Sequence, residues 1–286
     1  MSAPAGEGAR DLRVLIVNAD DYGLSPAVSR GILAAWREGI VTSTTFLVNL
    51  PASAESARLL AGAPGLGVGL HLNLTTGRPV LPPRSVPSLV GPDGTFVKSL
   101  WRLRYRVRAE EVRREWEAQV DRFIELVGRL PTHLDSHHHV HALPGLAAVF
   151  ADLARRRGIR AARVVRPADL PPVRSLAGWA TGLLYRRYLA GSARVLARSG
   201  LALPDRVLLA DFDRRRLVEW IRGLPEGVTE LVCHPGYVDG ELRRLSGRVE
   251  PRPAEMADLV SAEVREAVRA AGVRLAHYGE LTSAER

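Results

Sequence analysis

Short apolar runs alternate with amphipathic helical patterns along most of this 286-residue chain. The first run, residues 14–17, precedes a helical pattern over residues 26–38, for which Ser25 supplies an N-cap, Pro26 fits the first turn and Gly39 fits the end. Strands that alternate with helices form parallel sheets with both faces covered. The pattern therefore predicts an α/β fold, with the sheet either closed into a barrel or open.

The alternation has two interruptions, at residues 75–108 and 167–204. Connections of this length are usually functional, and the aromatic residues in both argue against disorder. We expect both to lie over the carboxyl ends of the strands, as loop or helical insertions that contact a substrate. The predicted strands cover residues 14–17, 41–48, 66–70, 132–135, 162–165, 206–209, 229–233 and 273–275, and the predicted helices cover residues 26–38, 52–61, 109–127, 145–157, 214–222 and 254–271.

Length and composition favour a single domain over residues 11–280, with disordered ends at residues 1–10 and 281–286. The first ten residues lack the apolar centre of a secretory signal, and no run approaches the length of a membrane span. We therefore expect a cytoplasmic protein without membrane insertion. The single cysteine, Cys233, excludes an internal disulfide. The sequence leaves the oligomeric state open, with a homodimer as one outcome.

The formal net charge of +9 raises the question of a nucleic-acid partner. Of the 40 basic residues all but Lys98 are arginines, and most of these lie beside Glu and Asp in helical patterns, so we expect no nucleic-acid partner. Residues 101–108 are an exception, because their arginines alternate with apolar and aromatic residues, including Trp101 and Tyr105. This segment fits a solvated edge or lid, with a phosphate-binding or sugar-binding strip as the alternative.

Five of the eight histidines lie within residues 133–141. If this segment were an extended strand, His137, His139 and His141 would project from one face together with Asp135, and His138 would point away. Neutral imidazole is a common ligand for divalent transition metals. The cluster therefore predicts a metal site.

Polar groups follow four of the predicted strands. Asp20 and Asp21 follow the first, and His71, His137 and His234 follow three others. Because enzymes with parallel sheets place their sites at the carboxyl ends of the strands, we expect these five side chains to converge. One carboxylate and two imidazoles can hold a divalent cation that activates water. A second carboxylate can serve as a base, and an imidazole can protonate a leaving amine.

Five segments carry motifs that can be compared with known families: residues 18–25, 39–45, 69–72, 131–141 and 233–236. Together, and in this order, they resemble the YdjC-like carbohydrate deacetylases, which include the chitooligosaccharide deacetylases. The resemblance implies a (β/α) barrel, distorted relative to a TIM barrel, that removes N-acetyl groups from amino sugars of a chitooligosaccharide or related glycan and releases acetate with the help of one divalent metal.

The resemblance also implies roles for individual residues. It places Asp21, His71 and His137 on the metal, makes Asp20 the base and makes His234 the proton donor. The remaining candidates, Asp135, His139 and His141, would orient an imidazole or face the substrate. The family is associated with magnesium, whereas two imidazoles and one carboxylate suit zinc, manganese or iron better.

Other functions stay open at this point. A related subgroup acts on sugar-bearing lipids, and the apolar residues 176–189 are compatible with such an acceptor. The same two imidazoles and carboxylate could instead bind iron in an oxygenase. A nucleic-acid-binding protein and a sugar-binding module without activity are the remaining alternatives.

Overall fold

A computed structural model describes residues 12–170, 176–209 and 211–281 of the chain. The predicted disordered ends fall outside these residues except for Leu281. Parallel strands form one sheet in the order β4-β3-β2-β1-β6-β5, and a short β7 pairs with the beginning of β1. The strands are β1 (Arg13–Tyr22), β2 (Ser43–Phe46), β3 (Gly67–Leu72), β4 (Leu134–Ser136), β5 (Arg206–Leu208), β6 (Gly227–Cys233) and β7 (Arg274–Leu275).

The six strands of the main path curl into a half-barrel surrounded by helices, which confirms the predicted α/β barrel class in an open form. β1 lies in the middle, paired along its edges with β2 and β6, and its residues after Arg13 are buried. The helices are α1 (Pro26–Glu38), α2 (Ser53–Leu59), α3 (Leu100–Arg106), α4 (Ala109–Val127), α5 (Leu146–Arg157), α6 (Leu176–Ala197), α7 (Arg214–Arg222), α8 (Gly240–Leu245), α9 (Pro251–Leu259) and α10 (Ala262–Ala270).

Capping residues set the helix ends where the sequence predicted them. The Ser25 hydroxyl accepts a hydrogen bond from the Val28 amide at 3.2 Å at the start of α1. The 19-residue helix α4 ends at Gly128, which has a φ of 77° and so terminates the helix in the left-handed region.

Two predicted elements were wrong. The helix predicted over residues 254–271 is two helices, α9 and α10, because Ser261 caps a new helix by accepting from the Val264 amide. The strand predicted over residues 162–165 is reduced to isolated bridges at Ala161 and Ala162. A strand needs a run of paired residues, and these bridges do not extend as far as Arg163.

Each of the two predicted insertions contains a helix, α3 in residues 75–108 and α6 in residues 167–204. Part of the second insertion, residues 171–175, lies outside the described residues. Among the helices of the described residues, none combines the length and the apolar content required to cross a membrane.

Candidate active site

The last residues of β1 carry the two adjacent carboxylates. β1 pairs in parallel with β2 up to Ala19, after which the register shifts before Tyr22. Within this irregularity Asp21 has a φ of 71°, in the left-handed region that non-glycine residues rarely adopt. A bulge of this kind changes the direction of successive side chains. It allows both Asp20 and Asp21 to reach the same cavity instead of pointing to opposite faces of the sheet.

His71 and His137 lie on neighbouring strand ends. His71 is the penultimate residue of β3, and it stands in register with Asp135 of β4. β4 ends at Ser136, and residues 137–142 form a short 3-10 helix interrupted by His138 and His139 at φ of 56° and 51°. The extended geometry assumed for residues 137–141 is therefore wrong.

The turn after β4 is stabilised by Ser136. Its hydroxyl accepts from the His141 amide at 3.2 Å and lies 2.6 Å from His141 Nδ1. These local bonds compete with strand pairing, as serine side chains often do near the ends of elements. The chain therefore turns directly after β4, and the four histidines beyond Ser136 take up different environments.

Three atoms from these elements converge. Asp21 Oδ1 lies 3.1 Å from His137 Nδ1 and 3.6 Å from His71 Nε2, and the two nitrogens are 3.3 Å apart. Ligands of a tetrahedral zinc ion at ordinary bond lengths are about 3.3 Å from one another. Asp21 Oδ1 is buried, and apart from these two imidazoles no group of the described residues pairs with it. The three groups therefore fit a single cation, which would satisfy this carboxylate oxygen.

Asp135 orients His71 from behind. The Asp135 Oδ1 atom lies 2.6 Å from His71 Nδ1, so that an Nδ1–H donated to the carboxylate leaves Nε2 free to act as a ligand. Burial opposes protonation of His71, but Asp135, Asp20 and Asp21 outweigh it and raise its pKa to about 9. The potential around the ring is thus negative, which favours a bound cation.

A second group, Asp20, His71 and Asp135, is also close enough to hold an ion. Its two carboxylates are both already paired with Arg163, at 2.7 Å from Asp20 Oδ1 and 2.8 Å from Asp135 Oδ2. A cation there would have to compete with a guanidinium. The group with Asp21 and His137 is therefore the better candidate.

Arg163 is the buried cation that pairs with carboxylates beneath the site, and the sequence interpretation missed it. Its fully buried guanidinium contacts the carboxylates of Asp20, Asp135 and Glu230. Burial raises the pKa of an aspartate, but this arginine holds the pKa of Asp20 far below its ordinary value. The signal in the sequence was weak: Arg163 lies in an apolar run, and Glu230 interrupts the buried strand β6.

Arg252 pairs with the carboxylate of Asp21, and the sequence interpretation missed this residue as well. Its Nη2 donates to Asp21 Oδ2 at 2.5 Å, and its Nε donates to the Arg248 carbonyl at 2.8 Å. Although burial works in the opposite direction, Arg252 lowers the pKa of Asp21 well below its ordinary value. One carboxylate oxygen is therefore fixed by Arg252, and the other faces the two imidazoles. Among 39 arginines, no sequence pattern distinguishes this one.

His234 approaches from β6. Its Nε2 lies 4.0 Å from Asp20 Oδ2, and its backbone amide donates to Glu255 at 2.6 Å. Burial lowers the pKa of His234 despite the nearby Asp20 and Asp21 carboxylates. Asp20, Asp21, His71, His137 and His234, five residues from four strand ends, all line one cavity of about 450 Å³.

The other histidines of the cluster are distributed around this cavity. The exposed His138 lies 2.9 Å from the Thr75 hydroxyl through Nδ1, and both His138 and His139 line the cavity wall. His141 is buried against Phe150, with ring centroids 4.8 Å apart. Thus His138 does not point away from the site as predicted, and His141 does not line this cavity.

Comparison with known proteins adds an independent observation. A family model described as YdjC-like protein matches residues 14–270. A chitooligosaccharide deacetylase of Escherichia fergusonii is 38% identical to the chain, with 93% of this chain and 98% of that protein covered. One from Salmonella schwarzengrund is 37% identical, with 92% and 96% covered. A crystal structure from Enterococcus faecalis, of a protein named for cellobiose-phosphate cleavage, has a TM-score of 0.78, 34% identity, and 94% and 99% coverage.

Proposed function

Because this chain belongs to the YdjC-like protein family, we propose that it is a metal-dependent carbohydrate deacetylase that removes N-acetyl groups from acetylated amino sugars. The observation that carries the proposal is the convergence of the buried Asp21 Oδ1 with two imidazole nitrogens, in the wall of a cavity that also holds Asp20 and His234. These are the groups that hydrolysis of an amide needs: a cation site, a base and a proton donor.

Asp21, His71 and His137 would hold the cation. When bound, a divalent cation polarises a carbonyl oxygen and lowers the pKa of a bound water. The nitrogen-rich donor set suits zinc, manganese or iron better than magnesium, which prefers oxygen ligands. Asp135 contributes indirectly, by keeping the ligating nitrogen of His71 turned toward the cavity.

Asp20 accepts the proton of the attacking water through Oδ2. Its Oδ1 already accepts from Asn18, Thr45 and Arg163, whereas Oδ2 accepts only from Arg163 among the described residues and faces His234. Paired with Arg163, the carboxylate stays ionised across the neutral range; its low pKa makes it a weak base, so it would accept a proton only from a water acidified by the cation.

His234 donates a proton to the departing nitrogen. Water adds its oxygen to the acetyl carbon, the carbon–nitrogen bond breaks, and the products are acetate and the free amine. Because burial lowers the pKa of His234, its ring is neutral at neutral pH, and the proton that it donates is the one that Asp20 took from the water, passed from Oδ2 to His234 Nε2, 4.0 Å away. Its backbone amide donates to Glu255, which fixes the main chain at this residue.

Acetate release from a panel of N-acetylated sugars tests the proposal. The protein is stripped with a chelator and then reloaded separately with zinc, manganese, iron or magnesium. We expect stripping to abolish acetate release and at least one metal to restore it, because Asp21, His71 and His137 would activate water only through a bound cation. Activity that persists in the stripped protein, or no acetate from any sugar with any metal, would reject the proposal.

The Asp20→Asn variant separates the base from the metal ligands. We expect turnover to fall by about 10²–10⁴-fold, because an amide cannot accept the proton, while metal content stays at the wild-type level. Elemental analysis and acetate release give the two quantities. Glu230→Gln is the matched control, since it perturbs the same Arg163 guanidinium without removing a carboxylate from the cavity. Loss of the metal in Asp20→Asn would show instead that Asp20 is a ligand.

A further inference from the structure

The positive charge of the chain is concentrated in the two insertions. Residues 94–109 hold Lys98 and four arginines, residues 170–204 hold five arginines, and neither segment contains an aspartate or a glutamate. The rest of the chain carries 30 basic and 31 acidic residues, so the net charge of +9 originates entirely in these two segments. Charges segregated in this way produce a local positive field, whereas evenly mixed charges would cancel.

The helices of the two insertions are neighbours. The Arg104 guanidinium of α3 lies 5.3 Å from the centre of the Tyr188 ring of α6, a distance typical of a cation–π contact. Both helices also border the active-site cavity, α3 through Leu100 and α6 through Tyr185. The two charged segments therefore contribute to one region of the surface, beside that cavity.

Exposed aromatic and aliphatic side chains lie in the same region. Trp101 and Tyr105 stand one turn apart on α3 and are 45% and 75% exposed, and Leu183 on α6 is 54% exposed. Leu103 is fully buried, so α3 packs on the protein through this residue and carries its two aromatic rings outside. Large apolar groups that stay in water among charges are typical of an interaction surface.

Three arginines of this region have no carboxylate partner. Among the described residues, the exposed Arg102 and Arg187 make no ion pair or hydrogen bond through their side chains. The Arg104 guanidinium packs against aromatic rings instead of a carboxylate. These guanidinium groups are therefore available to phosphate groups, which they can bind with two parallel hydrogen bonds.

We propose that the α3–α6 surface, formed by Trp101, Arg102, Tyr105, Leu183 and Arg187, docks on an anionic lipid bilayer. The arginines attract the phosphate headgroups, and tryptophan and tyrosine are the side chains that prefer the membrane–water interface. A nucleic acid could use the arginines and the rings, but it offers an isolated leucine no apolar environment, whereas the boundary of the acyl chains does. Docking goes beyond the deacetylase proposal, since attachment needs no turnover, and it would place the active-site cavity next to the bilayer.

Co-sedimentation with vesicles tests the proposal. The full-length protein is mixed with vesicles of phosphatidylcholine alone, or of phosphatidylcholine with about one third phosphatidylglycerol, at low and at high salt. We expect binding to the anionic vesicles only, and we expect salt to weaken it, because ions screen the attraction. No sedimentation with anionic vesicles at low salt, or equal sedimentation with both kinds of vesicle, would overturn the proposal.

A pair of double variants locates the charged part of the surface. Arg102→Gln with Arg187→Gln should weaken binding to anionic vesicles by about fivefold for each arginine removed. Arg58→Gln with Arg222→Gln is the matched control, because these two arginines are exposed on α2 and α7 and are likewise unpaired among the described residues. An equal loss in both double variants would mean that net charge alone attracts the protein, and the assigned surface would be wrong.

Leu183→Ser distinguishes a bilayer from a nucleic acid. We expect it to weaken vesicle binding by roughly threefold to tenfold and to leave binding of a DNA duplex, measured by fluorescence anisotropy, unchanged. Leu130→Ser is the matched control, since Leu130 is 45% exposed outside the two insertions. Unchanged vesicle binding in Leu183→Ser would contradict the proposal. Tighter binding of the duplex than of anionic vesicles, at equal salt and phosphate concentration, would assign the surface to nucleic acid instead.

Discussion

Asp21→Asn should lose both its bound metal and nearly all of its turnover. The amide oxygen is a much weaker ligand than the carboxylate oxygen, and the neutral side chain would no longer form the ion pair with Arg252 that fixes the orientation of Asp21. His71→Ala and His137→Ala should behave alike, since each removes one of the two nitrogens. A cation supplies several kcal/mol of transition-state stabilisation, so we expect rates to fall by on the order of 10³ or more.

Metal content and rate have to be measured on the same preparations. Elemental analysis, together with the visible spectrum of the cobalt-substituted protein, reports on the ligands without requiring turnover. His138→Ala is the control for metal content, because this neighbouring histidine binds Thr75 instead of facing Asp21. Normal metal content in all three ligand variants would reject the assignment of the site.

Arg163→Gln should be the most destabilising single substitution of the site. It leaves Asp20, Asp135 and Glu230 buried without the cation that they share, and removing one partner of a buried ion pair costs about 3–5 kcal/mol. Urea unfolding at neutral pH measures the change. Arg157→Gln is the control, because the exposed pair of Arg157 with Asp121 should contribute no more than about 1 kcal/mol.

The difference in stability between the wild type and Arg163→Gln should depend on pH in one direction. The pKa of Asp20 is lowered in the folded protein, so its pairing with Arg163 contributes fully above the ordinary value of 3.8 and is lost as the pH falls toward the folded-state pKa. The difference in stability between wild type and Arg163→Gln should therefore shrink in acid below pH 3.8. A difference that grows in acid, or a variant as stable as the wild type at neutral pH, would contradict the proposed role of Arg163.

The barrel class and most strands were predictable because they depend on local alternation of apolar runs and helical patterns. The break at Ser261 was missed, since the apolar pattern continues through it and only the cap marks the new helix. The histidine cluster shows a similar limit. The extended geometry of residues 137–141 was an assumption about backbone dihedral angles, and two left-handed residues made it wrong.

The sequence by itself determined which chemical groups stand at the strand ends, because apolar runs fix the positions of the strands and the polar residues come directly after those runs. Only the tertiary structure decided how those groups are paired. Arg163 and Arg252 come from 143 and 231 residues away from the carboxylates that they hold, and no local pattern encodes such contacts. Folding brings these charges out of water together, and burial then makes each carboxylate depend on its guanidinium.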